Sequence, residues 1–242
     1  MFTVHIITNG DDTRLEVTKK SIETYHLDYE IHTIPKHPTD GRLGCFLSHI
    51  QLYEYAKSKD MEWIAIAEDN IITHDTTSSL YYQSLHQLRT ITKWSKDNEW
   101  EIIYLGGWVT KPFVMNYTKS SNTWLYNTHN THGTSFYMIH KKCYHRVLET
   151  YEKNTKEHID EFLNSIAIQP LVMVPLIAFR NPNLKTTNRY YDTPFINEML
   201  SIFHSWYRQP LLMRLFQYYA IYSTKILFII LCIILIYIQC LL

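Results

Sequence analysis

The 242-residue chain carries 23 Lys and Arg against 23 Asp and Glu, so its formal charge is zero and nothing in that balance recruits nucleic acid or another polyanion. With 46% hydrophobic residues it can bury one full core plus an appendage, but not two independent domains. Of its four cysteines, Cys232 and Cys240 sit in a terminal apolar run; Cys45 and Cys143 remain with no CxxC spacing, which indicates neither a disulfide framework nor a zinc site and fits a reducing compartment.

The chain opens on Phe2-Thr3-Val4-His5-Ile6-Ile7, a strand-like run without the basic and apolar regions of a secretory signal. The pattern predicts a first strand over Phe2 to Thr8, a helix over Arg14 to Tyr25 and a second strand over Glu30 to Ile34, closed by Pro35 and Pro38. A glycine-led turn at Gly44 then enters a helix on which Leu43, Phe46, Leu47, Ile50, Tyr53 and Ala56 recur at helical spacing. Trp63 to Ala67 reads as a buried strand ending in Glu68-Asp69-Asn70, and Leu80 to Ile91 as a helix with Leu85 and Leu88 inward. Glu101 to Leu105 is a fourth strand, stopped by an abrupt turn at Gly106-Gly107. This order of strands and helices predicts an α/β fold with a mostly parallel sheet, flanked by helices, and ligands at the carboxyl ends of the strands.

Tyr117 to Gly133 is rich in Asn, Thr, Ser and His and reads as a long polar loop with a short strand at Trp124 to Tyr126. Thr134 to Ile139 resumes as strand, Lys141 to Tyr151 as helix, His158 to Ser165 as a short helix and Ala167 to Val174 as strand. The domain is therefore expected over residues 1–180, with a linker and juxtamembrane helical segment over 181–223 and a transmembrane anchor over 224–242. From Ile226 to Leu242 the only polar side chain is Gln239. As a helix this run spans roughly 25 Å at 1.5 Å per residue, and the preceding residues extend it to the roughly 30 Å of a hydrocarbon core. Arg208, Arg214 and Lys225 precede the run and no charge follows it, which places the globular part on the cytosolic side of a single-pass C-terminal anchor.

Chemistry concentrates at three places. Carboxylates closing a buried strand, as at Glu68-Asp69-Asn70, suit a hard divalent ion, although an acidic pair can equally be a solvated turn. In Gly44 to His49, glycine permits a tight entry and Ser48 and His49 lie early in a helix whose positive end could face an anion. Adjacent helical side chains diverge by about 100°, however, so the two cannot aim at one atom, and a structural histidine is the alternative. The third place is Ile159-Asp160-Glu161-Phe162-Leu163, a carboxylate at a helix start. The 19 Tyr, 6 Trp and 13 His supply rings of the kind that pack on sugar C–H faces, or are simply spread through core and surface.

The ordered blocks GRLGCFLSHIQLYEYA, IAIAEDNI, WEIIYLGG, GTSFYMIHKKCYHRVL and HIDEFL resemble glycosyltransferase family 25, over about Phe2 to Ala178. The resemblance implies a GT-A-like fold, a nucleotide-sugar donor such as UDP-galactose or a similar UDP-hexose, and an inverting transfer to a hydroxyl of a glycan or protein acceptor. By position it implies donor contacts at Asn9, Arg14, Gly44, Ser48, Glu68 and Asp69, and an acceptor side at Gly133 and Thr134. It also implies a metal, Mn²⁺ or Mg²⁺, held at Asp69 and Asn70, and catalysis by Asp160 as base with His49 in reserve. An inverting transfer needs one group to take the acceptor proton while the donor carbon is attacked from the opposite face.

Two positions depart from the family pattern. Asn70 stands where a second aspartate is usual, which removes an anionic ligand but keeps an amide oxygen. Glu101 replaces the aspartate before the fourth strand and keeps its charge. The alternative to an enzyme is therefore a non-catalytic, membrane-anchored sugar- or protein-binding module on the same fold. His129 with His132, and His140 with His145, lack the i,i+4 spacing of a helical zinc pair, and the sequon Asn116-Tyr117-Thr118 has no role in a cytosolic domain.

Overall fold

The computed structural model describes residues 2–97, 100–109, 125–128, 131–152, 157–168, 170–181 and 184. Its elements are β1 (Thr3–Thr8), α1 (Asp12–Thr24), β2 (Asp28–Thr33), α2 (Gly41–Ser58), β3 (Trp63–Glu68), β4 (Ile71–Thr73) and α3 (Ser79–Asp97). They continue with β5 (Ile102–Val109), β6 (Leu125–Asn127), β7 (Thr131–His140), α4 (Lys141–Thr150), α5 (Ile159–Ile166), β8 (Pro170–Met173) and β9 (Ala178–Arg180). Among the described residues the strands form one sheet in the order β2-β1-β3-β7-β5-β8-β6, with β4 paired to β9 and β9 joined to β5.

The sheet is mixed, which corrects the mostly parallel expectation. β2, β1 and β3 are mutually parallel, and so are β5 and β8, but β7 lies antiparallel between β3 and β5. Strand alternation sorts the core into two layers. Ile64 and Ile66 of β3, Ile102 and Tyr104 of β5, and Tyr137 and Ile139 of β7 face one layer with α2, α4 and α5. The intervening Ala65 and Ala67, Ile103 and Leu105, and Phe136 and Met138 face the other, with Ile22 of α1 and Leu88 and Ile91 of α3. Helices thus cover both faces, and a two-sided burial explains why β3 reads as a continuous apolar run.

Two glycines do something other than expected. β5 runs on through Gly106-Gly107 in place of an abrupt turn, with a register shift against β7 on either side of Gly106. Gly107 has φ +143, and a Cβ there would lie 2.7 Å from the Gly133 carbonyl oxygen, so only glycine lets the bulged strands approach. Gly44 does not lead a turn, because α2 begins three residues earlier, where Asp40 accepts from the N–H groups of Arg42 and Leu43. It is glycine because the β2–α2 segment crosses it, and a Cβ would lie 2.8 Å from His37 Cβ and 3.1 Å from the His37 nitrogen. In Gly44→Ala the overpacking, about 1–3 kcal/mol, outweighs the helix propensity gained, about 1 kcal/mol. A net loss of up to about 2 kcal/mol is expected as a lower urea midpoint at unchanged slope; a higher midpoint would show that the His37 segment yields without cost.

Among the described residues no helix is long and apolar enough to cross a membrane. The expected anchor over 224–242, the expected linker over 181–223 apart from Asn181 and Leu184, and most of the polar stretch 117–133 lie outside the described residues.

Candidate active site

β1 and β3 are parallel neighbours, so their carboxyl ends open on the same edge of the sheet, where open α/β sheets take ligands. A cleft forms there between Thr8 and Asn9 after β1, Glu68 to Asn70 after β3, the Ile34 to His37 segment after β2, and one side of α2. It gathers Asn9, Arg14, Gly44, Ser48, His49, Glu68, Asp69 and Asn70, residues drawn from three separate segments of the sequence. A roomier cavity, lined by Tyr25, Leu27, Leu85, Leu88, Arg89, Thr92 and Lys93, shares no residue with this cleft and carries no carboxylate.

At the strand end, side chains alternate, and the three residues divide accordingly. Asp69 turns to β1 and α1: its Oδ1 accepts from Arg14 Nε at 2.9 Å and Nη2 at 2.7 Å, and its Oδ2 from the Thr8 hydroxyl at 2.8 Å. Both partners are buried, Arg14 at 7% and Asp69 at 5% exposure. Asp69, expected as a metal ligand, has its charge matched here by the Arg14 guanidinium in contact. Glu68 and Asn70 point the other way. Glu68 Oε1 accepts from the Thr134 hydroxyl at 2.9 Å, and its Oε2 from Asn70 Nδ2 at 3.3 Å. Among the described residues Asn70 Oδ1 is buried with no hydrogen-bond partner, an acceptor whose cost of burial a cation or a ligand N–H would relieve.

Behind Glu68 stands His49, fully buried, with Nδ1 2.7 Å from the Tyr137 hydroxyl and Nε2 3.8 Å from Glu68 Oε1. Tyr137 in turn meets the Tyr53 hydroxyl at 2.6 Å. Burial alone would raise the Glu68 carboxyl, but the His49 ring, the Thr134 hydroxyl and the Arg180 guanidinium outweigh it and bring it down to about 2. Glu68 is therefore a fixed anion, unsuited to carrying a proton at neutral pH. Cys45 opens to solvent in the cleft, yet the protein packed around its sulfur, and then the Glu68 and Asp160 charges, push its thiol well up. Cys45, His49 and Glu68 could offer a softer ion one atom each within 4.8 Å.

Ser48 donates to its own helix, to the Gly44 carbonyl at 2.7 Å, and the amino end of α2 is closed by Asp40. The expected anion site at that helix end is thus taken up by a side chain. Asp160 does not line the cleft but adjoins it through β7. Its Oδ2 accepts from the Gly133 N–H at 2.7 Å, next to Thr134, which holds Glu68. His132 Nδ1 lies 3.7 Å from the same oxygen. One turn further along α5, the Asn164 amide bonds both the N–H and the carbonyl of Thr131, at 3.3 and 2.9 Å. Gly133, Thr134 and Asp160 therefore form one rim, fixed to the sheet. Glu101 has a structural place: it receives both Arg146 nitrogens, at 2.9 and 3.1 Å, and the Ile168 N–H.

The sequence reading missed Thr8, Tyr137 and Asn164. Tyr137 was within reach, since it closes the Gly-Thr-x-x-Tyr pattern beginning at Gly133. Thr8 and Asn164 carried no signal, being single polar residues whose partners are 61 and 33 positions away.

No curated protein matches the chain. Among solved structures it is similar to A197 from STIV, with TM-score 0.46, 13% identity, and 74% of this chain and 84% of that one covered. It is also similar to a glycosyltransferase involved in glycosylation of the major capsid of PBCV-1, with TM-score 0.46, 8% identity, and coverage of 82% and 98%. A third is the glycosyltransferase GlyE of Streptococcus pneumoniae TIGR4, with TM-score 0.40, 8% identity, and coverage of 90% and 63%. The family model for glycosyltransferase family 25 (LPS biosynthesis protein) matches residues 8–163, from the end of β1 into α5, and so takes in the cleft and its Asp160 rim. The chain belongs to glycosyltransferase family 25.

Proposed function

We propose that the chain transfers a hexose, galactose or one similar to it, from a UDP-sugar to a hydroxyl of a glycan or protein acceptor with inversion, on a GT-A-like domain. The observation that carries this reading is the convergence at one sheet edge of a fixed anion, an orphaned acceptor and a second carboxylate on a rigid rim, inside the span matched by the family. The cleft takes the nucleotide end of the donor. Asp160 is the base that accepts the acceptor proton, and Gly133 and Thr134 present the acceptor side. Arg14 and Asp69 act as a pair that shapes the floor beside Asn9. Ser48 and Gly44 form the α2 wall, and His49 steadies Glu68.

The oxygen donors that fit Mn²⁺ or Mg²⁺ are Glu68 and Asn70 Oδ1, with Asp69 held by Arg14. A bound divalent ion would supply charge stabilisation to the departing diphosphate. The apolar run over 226–242 supports a membrane-tethered form of the enzyme with its domain facing the cytosol.

A second reading, a binding module without turnover, is favoured by Asn70 and by the engagement of Asp69. A panel of UDP-hexoses, assayed for UDP release with and without Mn²⁺ and followed by calorimetry, separates them. Release with one donor supports transfer, UDP binding without release supports the module, and neither binding nor release removes the nucleotide-sugar reading.

A further inference from the structure

A second group of ligating side chains lies outside the cleft and takes no part in the proposed transfer. β2 is an edge strand, and its parallel register on β1 sets Glu30 beside His5 and His32 beside Ile7. Val4 and Ile6 point into the core on the other face, so His5, Glu30 and His32 share the face under α2. Tyr55 of α2 closes over them: its ring lies 5.5 Å from His5 and 5.0 Å from His32, and its hydroxyl donates to both Glu30 oxygens at 3.1 Å.

The polar atoms converge. His5 Nδ1 is 2.9 Å from His32 Nε2 and 3.7 Å from Glu30 Oε2, while His32 Nε2 is 3.5 Å from Glu30 Oε1. These edges bracket the roughly 3.3–3.4 Å separation of ligands on a tetrahedral ion with bonds of about 2.0–2.1 Å. His5 is buried, and among the described residues its Nε2 has no hydrogen-bond partner, so its polar engagement there is at the point of convergence. Glu30 is half exposed and leaves a path for an ion from solvent.

We propose that His5, Glu30 and His32 form a transition-metal site of the zinc type, with Tyr55 orienting the carboxylate and a fourth position open to water. Two imidazoles and one carboxylate select zinc, cobalt or nickel over magnesium or calcium, which prefer all-oxygen shells. No cysteine is needed, which is why cysteine spacing gave no hint of it. The ion would clip the edge strand to β1 and to α2, just before the Ile34 to His37 segment that walls the cleft.

The test uses the full chain in detergent, stripped with a chelator, titrated with Co²⁺ by visible absorption and with Zn²⁺ by calorimetry. One equivalent should bind with the intensity of tetrahedral Co²⁺ and without a thiolate charge-transfer band. His32→Gln and Glu30→Gln should each weaken binding by more than the roughly 10–100-fold that an outer-shell loss costs, and Tyr55→Phe by about 10-fold. Glu30 and His32 are not core residues, and circular dichroism of the metal-free variants should match the parent. No uptake by the parent, or uptake unchanged in both ligand variants, overturns the site. A cobalt spectrum abolished by Cys45→Ser does so equally, by placing the ion in the cleft. Sugar transfer is read separately, and its presence or absence leaves this result unchanged.

Discussion

Asp160→Asn is expected to lower the turnover of hexose transfer by about 10²- to 10⁴-fold, the usual contribution of a positioned general base. The substitution is close to isosteric. The amide oxygen of asparagine can still accept the Gly133 N–H that Asp160 Oδ2 receives at 2.7 Å, so the rim between α5 and β7 should hold. Asn164, one turn further along the same helix, secures it independently through Thr131. On the role proposed for Asp160, what disappears is the anionic oxygen assigned to take the acceptor proton, so the loss should fall on kcat with the KM for UDP-sugar little changed. Steady-state UDP release, with and without acceptor, reads both constants. A variant with parental kcat would remove Asp160 from the reaction.

The second large effect is on stability. Asp69→Ala should destabilise the domain by about 3–5 kcal/mol, because it leaves the Arg14 guanidinium buried and stripped of the carboxylate it contacts through two nitrogens. That is a large part of the roughly 5–15 kcal/mol that holds a domain folded, and at roughly 2–4 °C per kcal/mol it lowers Tm by roughly 6–20 °C. Removing both charges together, as Arg14→Met with Asp69→Leu, should recover much of the loss, since no unmatched ion then stays inside. Thermal melting of both variants checks the pair, and a drop below about 2 °C in Asp69→Ala would contradict the burial cost. The consequence for assays is practical: inactivity of Asp69→Ala at 37 °C would report unfolding before it reported chemistry, so transfer must be measured where the variant is still folded.

Much of the first half of the fold was legible because β1, β3 and the helices between them obey simple periodicities. The direction of β7 was not, since alternation is the same for a parallel and an antiparallel strand, and only the backbone path decides. β4 and β9 are three residues each, too short for any pattern to stand out. Gly106-Gly107 resembled a turn because glycine pairs usually end strands, whereas here they admit a bulge beside Gly133. At the site the membership of the cleft was readable and the orientation within it was not fully read. Strand alternation already implies that Glu68 and Asn70 face one way and Asp69 the other; the missing fact was Arg14, 55 residues earlier, waiting on the far side.

The backbone anchor of Asp160 bears on how such an enzyme can diversify. The N–H that fixes the carboxylate belongs to a glycine at φ +83, a conformation L side chains rarely adopt, so the bond is secured only while position 133 stays glycine. Neighbouring positions such as His132 can vary in side chain while the Asp160 carboxylate keeps its station. On the role proposed for Asp160 as base, acceptor preference can then change without loss of the chemistry.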